Sequence, residues 1–312
     1  MSDHYSKSEA KWQKSGKYFT FEGHRCFYRQ EGRKPTLLLL HGFPTSSWDW
    51  EPLWPHLKTK FRILTLDLLG FGNTEKPKNL TYSIAKQADL VEALLEHVKC
   101  HECHVIAHDY GATVMQELLA RQEDRNRENQ NGPQYASVTF LNGGLFPETH
   151  RPRLIQKLLN SPIGPLISRL ITFRSFAKSL SATFGPNSKP SLGELRTHWD
   201  IICRSQGQRL AHKLIGYIPE RQKFRERWVG ALCRSSIPMR LINGPVDPIS
   251  GAHMVKRYRE LVPNADVILL EGIGHYPQLE DPQGVLRAFW AFHKRLGTIS
   301  TPKDTLPGIN LH

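Results

Sequence analysis

Short apolar runs recur along this chain, and most are followed by a turn and then by a stretch with helical spacing. Residues 17–29 carry aromatics at Tyr18, Phe19, Phe21, Phe27 and Tyr28 and predict an early strand pair. The run TLLLL over 36–40 predicts a strand covered on both faces. Further strands are predicted over 61–66, at Val105-Ile106-Ala107, and over 136–141, 239–243 and 266–270. Ile84, Leu90, Val91, Leu94 and Leu95 give 83–98 the period of a helix. A second helix is expected over 112–121 and an amphipathic one over 285–296. Residues 122–134 are polar and reach Gly132-Pro133, which predicts a surface loop.

Alternation of this kind predicts an α/β chain with a doubly wound, mostly parallel sheet. Residues 145–235 break the rhythm and look helical, with candidates at 153–159, 165–173, 192–203 and 209–217. An insertion after a strand's C-terminal edge lies over the place where open α/β sheets bind ligands. We therefore expect a cap over 145–235 and a core made of 17–144 and 236–297. Residues 1–16 and 298–312 are expected to be flexible ends.

Composition narrows the classes. A chain of 312 residues fits one large α/β domain, or a core with an inserted subdomain. No apolar run approaches the roughly 20 residues that span a bilayer. Residues 1–17 lack the apolar centre of a signal peptide and the Arg-rich, acid-poor character of a transit peptide. The five cysteines are irregularly spaced, which is no disulfide framework and points to a reducing, cytoplasmic setting. Cys100-His101-Glu102-Cys103-His104 has no second cysteine pair at zinc-binding spacing, so no metal and no cofactor are expected.

Charge is unevenly placed. The net charge is +13, and 145–235 holds 16 Lys/Arg against 5 Asp/Glu. Two readings stay open: attraction to an anionic membrane surface or anionic substrate, and a solvated helical face. No motif of a nucleic-acid binder accompanies the charge, so a nucleic-acid partner is not expected.

Candidate chemistry centres on Val105-Ile106-Ala107-His108-Asp109-Tyr110-Gly111-Ala112. An apolar strand runs into a turn with small residues on either side, which has the form of a nucleophile elbow with Asp109 at its tip. A carboxylate there suits attack on saturated carbon, as in an epoxide or alkyl halide. Alternatively, Asp109 caps the helix that follows. A carboxylate nucleophile needs oxyanion donors, and the N–H groups of Tyr110 and Phe43 are the candidates. It also needs a base to activate water. Gly274-His275-Tyr276 follows the last strand, and Asp247 follows the strand before it, giving the chain order nucleophile, acid, histidine. Asn142, after the 136–141 strand, cannot serve as a carboxylate.

His41-Gly42-Phe43-Pro44, Asp67 with Gly70-Phe71-Gly72, His108-Asp109-Tyr110-Gly111, Asp247 and His275 resemble the α/β-hydrolase superfamily. Within it the chain is similar to the epoxide hydrolase and haloalkane dehalogenase branch. More closely it resembles the mesoderm-specific transcript protein family, through Lys14-Ser15-Gly16-Lys17, Asn142-Gly143-Gly144, Phe146-Pro147-Glu148-Thr149-His150-Arg151-Pro152, Arg227-Trp228-Val229-Gly230-Ala231-Leu232 and Tyr276-Pro277-Gln278-Leu279-Glu280-Asp281-Pro282.

The resemblance implies an α/β-hydrolase fold with an inserted helical cap. It implies a cofactor-free hydrolase that passes through an ester on Asp109 and acts on a small apolar or amphipathic substrate, most simply an epoxide. A haloalkane dehalogenase-like hydrolase and a non-catalytic binding protein on the same fold are the alternatives. Epoxide hydrolases protonate the opening ring with two cap tyrosines. Here Tyr217 is one candidate and His150 the nearest substitute for the second. Dehalogenases bind halide through a tryptophan after the nucleophile; Tyr110 stands there, so Trp199 or Trp228 would have to reach the site. Members of the family carry an N-terminal hydrophobic segment and reside in the endoplasmic reticulum membrane. Residues 1–17 hold no such segment, so a cytoplasmic location is expected, with membrane association at the endoplasmic reticulum as the alternative.

Overall fold

The computed structural model describes residues 2–299. Eight strands form one sheet in the order β1-β2-β4-β3-β5-β6-β7-β8. They are β1 (Lys17–Phe21), β2 (His24–Glu31), β3 (Thr36–Leu40), β4 (Arg62–Leu66), β5 (Glu102–Ala107), β6 (Gln134–Phe140), β7 (Met239–Asn243) and β8 (Val267–Leu269). β1 and β2 join antiparallel at one edge, and every pairing from β4 to β8 is parallel.

The central strands are buried on both faces, which is why they read as continuous apolar runs rather than alternating ones. The period of two still sorts their side chains. Leu38, Leu40, Leu64, Val105 and Ala107 join one hydrophobic cluster, whereas Leu37, Leu39, Ile63 and Ile106 join the cluster on the opposite face. The helix Ile84–His97 starts at Ser83, whose hydroxyl accepts from Lys86 N–H, and it buries Leu90, Val91, Leu94 and Leu95. No helix among the described residues is long and apolar enough to cross a membrane.

Four expectations need correction. Residues 1–16 are not a flexible end: Ser2–Lys14 is a helix. Its Trp12 is buried edge-on against Trp54, with ring centroids 4.8 Å apart, and its indole N–H donates to Ser47 Oγ. Two apolar anchors seven residues apart, Tyr5 and Trp12, put it on one face of a helix, but they are too sparse for a periodicity signal. The helix after the elbow runs from Tyr110 to Glu128, through much of the expected 122–134 loop. Its polar end is held by ion pairs of Arg121 and Arg125 with Glu92, and Gln122 Oε1 accepts from Tyr135 N–H.

In the insertion, the expected helices at 165–173 and 209–217 are broken. Gly164–Leu170 ends at extended Ile171, and Phe173–Ser181 begins anew at Thr172, whose hydroxyl accepts from Ser175 N–H. Ser205 and Gln206 are left-handed, so Arg204–Leu210 is a kinked 3₁₀ segment, followed by short helices Ala211–Leu214 and Tyr217–Lys223. Leu192–Cys203 matches its expectation, and Arg225–Arg234 adds a helix. The expected flexible tail lies outside the described residues from 300 onward.

The first part of the insertion has an unusual surface. Residues 149–193 contain seven basic residues and no acidic one. Leu154, Ile163, Leu166 and Leu170 are all exposed on this stretch.

Candidate active site

β5 ends at Ala107, and the chain turns so sharply that Asp109 adopts φ 45° and ψ −105°. Such a backbone is strained for a residue with a Cβ and has to be held in place. A Cβ on Gly111 would lie 2.4 Å from the Leu40 carbonyl oxygen, and one on Gly42 would lie 2.7 Å from His108 Nδ1. Both positions therefore need glycine for close approach of strand, loop and helix. Asp109 N–H donates to the Asn142 carbonyl at 2.8 Å. The Asp109 side chain makes no capping bond to the helix that follows, so the capping alternative does not hold.

The carboxylate instead meets the loop after β3. Phe43 N–H donates to Asp109 Oδ2 at 3.0 Å, and the Phe43–Pro44 peptide is cis. Tyr110 opens the helix, so its N–H has no partner inside that helix. The phenol ring of Tyr110 is buried against Phe71 and Tyr217, away from the carboxylate chemistry. Asp109 Oδ1 stays open: it lies 3.9 Å from His275 Nε2 and 3.8 Å from Arg221 Nη2.

His275 and Asp247 come from the loops after β8 and β7. His275 Nδ1–H donates to Asp247 Oδ2 at 2.7 Å. Asp247 also accepts from Ile249 N–H, Ser250 Oγ and Asn142 Nδ2 at 2.7, 2.7 and 2.9 Å. Asn142 thus does not replace the acid but fastens it, and its Oδ1 accepts from Gly244 N–H in the same loop. His108 Nε2–H donates to the His275 carbonyl, and Tyr276 O–H donates to the Phe43 carbonyl, tying the histidine loop to the elbow and the β3 loop.

Electrostatics follow from this packing. Burial pulls the His275 pKa down, but the charge and hydrogen bond of Asp247 and the charge of Asp109 push it up further, to about 9. Burial pushes Asp247 up, yet its pairing with His275 and its other donors hold it well below the usual carboxylate range. Burial, then the Asp109 charge, raise the Tyr217 phenol, and the Arg221 charge opposes them. His150 drops to about 4 through burial and the nearby Arg221 charge.

A cavity of about 260 Å³ opens above Asp109 and is lined by Phe43, His275, Tyr217 and Trp199 together with residues of the insertion that include Ile155 and Leu159. Asp109, His275, Phe43, Tyr217 and Trp199 are therefore brought together around one space, with Asp247 behind His275 and outside the lining, as is Tyr110. His150 is half-buried and is not among the lining residues. Trp228 does not reach the site: its indole N–H donates to Glu117 Oε2.

Arg221 was missed by sequence reasoning. It stands four residues after Tyr217, on the same helical face, and that spacing was the available signal. No group of three or more His, Cys, Asp or Glu residues that could hold a metal occurs among the described residues.

Comparison with known proteins agrees with this architecture. The family model described as the alpha/beta hydrolase family matches residues 37–288. The mesoderm-specific transcript homolog protein of Bos taurus is 44% identical over 293 residues, covering 90% of this chain and 86% of its own. Among solved structures, haloalkane dehalogenase DatA from Agrobacterium tumefaciens C58 superimposes with a TM-score of 0.75 at 19% identity, covering 90% of this chain and 96% of its own. Epoxide hydrolase CorEH does so with a TM-score of 0.72 at 20% identity, covering 90% and 99%. With a family match across residues 37–288 and a relative 44% identical over 90% of its length, the chain belongs to the α/β-hydrolase family.

Proposed function

We propose that this hydrolase works through a covalent ester on Asp109 and that its substrates are epoxides or electrophiles of the same kind. The observation that carries the reading is the free Asp109 Oδ1 beside a fixed Oδ2. Oδ2 already accepts from Phe43 N–H, so it is the oxygen that becomes the ester carbonyl. Oδ1 faces the cavity and attacks carbon. The ring C–O bond breaks, and its electron pair stays on the ring oxygen, which takes a proton from the Tyr217 hydroxyl.

The second step needs a base. Alkylation cancels the Asp109 charge, which is one of the charges that keep His275 protonated. The imidazole then releases its proton more readily, and that proton restores the Tyr217 hydroxyl; the neutral imidazole can then take a proton from the water that attacks the ester carbon. Phe43 N–H and Tyr110 N–H would share the oxyanion that forms. Asp247 holds the tautomer and balances the imidazolium. Water plus epoxide gives a vicinal diol, and Asp109 returns as a carboxylate.

A haloalkane reading uses the same ester but needs halide donors at the elbow. The buried phenol of Tyr110 and the distant Trp228 speak against it, and Trp199 is the indole in the lining that could serve. The apolar, basic face over 149–193 adds a route for substrate, since cap residues of that stretch also line the cavity; an anionic lipid layer fits it.

The test is the intact mass of His275→Gln protein after incubation with epoxides and haloalkanes. A gain of the whole epoxide mass on Asp109 is expected. A gain of an alkyl group with halide release would replace the epoxide reading by dehalogenation, and no adduct from any probe would reject the ester mechanism.

A further inference from the structure

Arg221 is one of the few charges in the described structure that is buried without being satisfied. It is 2% exposed. Its Nε–H donates to Thr113 Oγ1 at 2.8 Å, which anchors one edge of the guanidinium on the elbow helix. The other edge is bare: neither Nη1 nor Nη2 has a hydrogen-bond partner. Nη2 stops 3.8 Å from Asp109 Oδ1, near enough for attraction but too far for a hydrogen bond. The Tyr217 ring lies under the group, 4.5 Å from Cζ to the ring centroid. On the far side the backbone of Gly144 leaves room for it, since a Cβ there would fall 2.2 Å from Nη1.

A guanidinium keeps its charge in any protein environment, so burial cannot neutralise it. Leaving its donors unpaired in a closed site is costly unless a partner arrives during the reaction. The partner must be an anion, it must be small, and it must form beside Oδ1. Those conditions describe the atom that leaves carbon when Oδ1 attacks.

We propose that Arg221 is the anion site of this enzyme, resting on the Asp109-ester reading given above. At rest it offsets the Asp109 carboxylate. As Oδ1 bonds to carbon, the carboxylate charge disappears into a neutral ester, and the same electron count appears on the departing oxygen. The bare edge of the guanidinium then closes on that oxygen with two charge-assisted hydrogen bonds. Arg221 gives up no proton. Protonation comes from Tyr217, and the phenolate left behind still lies against the same cation. One arginine thereby does what a second cap tyrosine would do, since the other tyrosine of the cavity lining, Tyr276, belongs to the histidine loop and its O–H already donates to the Phe43 carbonyl.

Two measurements test this separately. The first is bromide binding to Asp109→Asn protein, followed by fluorescence of the cavity's Trp199. Removing the carboxylate leaves Arg221 without a counter-charge, so saturable bromide binding is expected that wild type lacks and that Asp109→Asn/Arg221→Gln loses. Absence of bromide binding to Asp109→Asn would overturn the anion site whatever the reaction. The second is the rate of adduct formation with styrene oxides in the His275→Gln background. Adding Arg221→Gln should slow it by about 10²–10³-fold, the usual effect of removing one preorganised donor, with partial recovery in Arg221→Lys. Equal rates with and without Arg221 would overturn the proposal and spare the ester mechanism. No adduct on the Arg221 background, with bromide binding intact, would reject the ester mechanism and leave an anion site serving another reaction.

Discussion

At the scale of single residues, the site is a ledger of charges that moves during turnover. His275 owes part of its raised pKa to the Asp109 carboxylate. Asp109→Asn imitates the alkylated enzyme by removing that charge while keeping the shape. We predict that the imidazole titration, followed by NMR, shifts downward from about 9 in that variant. The sign follows because an anion favours the protonated ring, and its loss favours the neutral base. An unmoved midpoint would mean that Asp109 does not act on the ring, and the timing given to the base would fail. Asp109, Asp247 and His275 were legible in the sequence because each follows an apolar strand at a short interval. Arg221 was not, because its meaning depends on a guanidinium edge left bare by packing, and no spacing rule encodes an unmade bond. Asn142 was legible as a non-acid but not as the residue that fastens Asp247.

At the scale of elements, the elbow is a joint between β5, the loop after β3 and the helix Tyr110–Glu128. A methyl group at Gly111 would strike the Leu40 and His41 carbonyls at 2.4 and 2.7 Å. We predict that Gly111→Ala lowers stability by about 1–3 kcal/mol, as overpacking does, with a lower Tm and lost turnover together. An unchanged Tm would mean that strand and helix have slack. The buried strands of the core were legible because continuous apolar runs bounded by turns have few other solutions. The helices of the insertion were less so. Their boundaries are set by left-handed Ser205 and Gln206 and by a hydroxyl cap at Thr172, while the helical period runs on across both breaks. The N-terminal helix escaped notice for a related reason, having two aromatic anchors in place of a stripe.

At the scale of the molecule, basic charge and exposed apolar groups are concentrated on one part of the insertion, residues 149–193. Salt bridges tie Arg225 and Arg227 to acidic partners, but over 149–193 there is no acidic residue to pair with. We predict that the protein sediments with vesicles containing phosphatidylserine and not with phosphatidylcholine alone. Each basic residue of 149–193 replaced by Gln should weaken binding by about fivefold. Equal binding to both vesicles would assign the face to apolar contact alone, and no binding would return it to ordinary solvent exposure.

The N-terminal helix joins these scales. It packs against Leu192–Cys203 of the insertion, and Glu9 accepts from both terminal nitrogens of Arg204 at 2.8 and 2.7 Å. On its other side Ser8 donates to Glu51, and Trp12 is sunk among core tryptophans. The insertion is therefore held twice, by its own chain and by the helix Ser2–Lys14. A cut after Ser15 would release the insertion from this hold without touching a residue that lines the cavity.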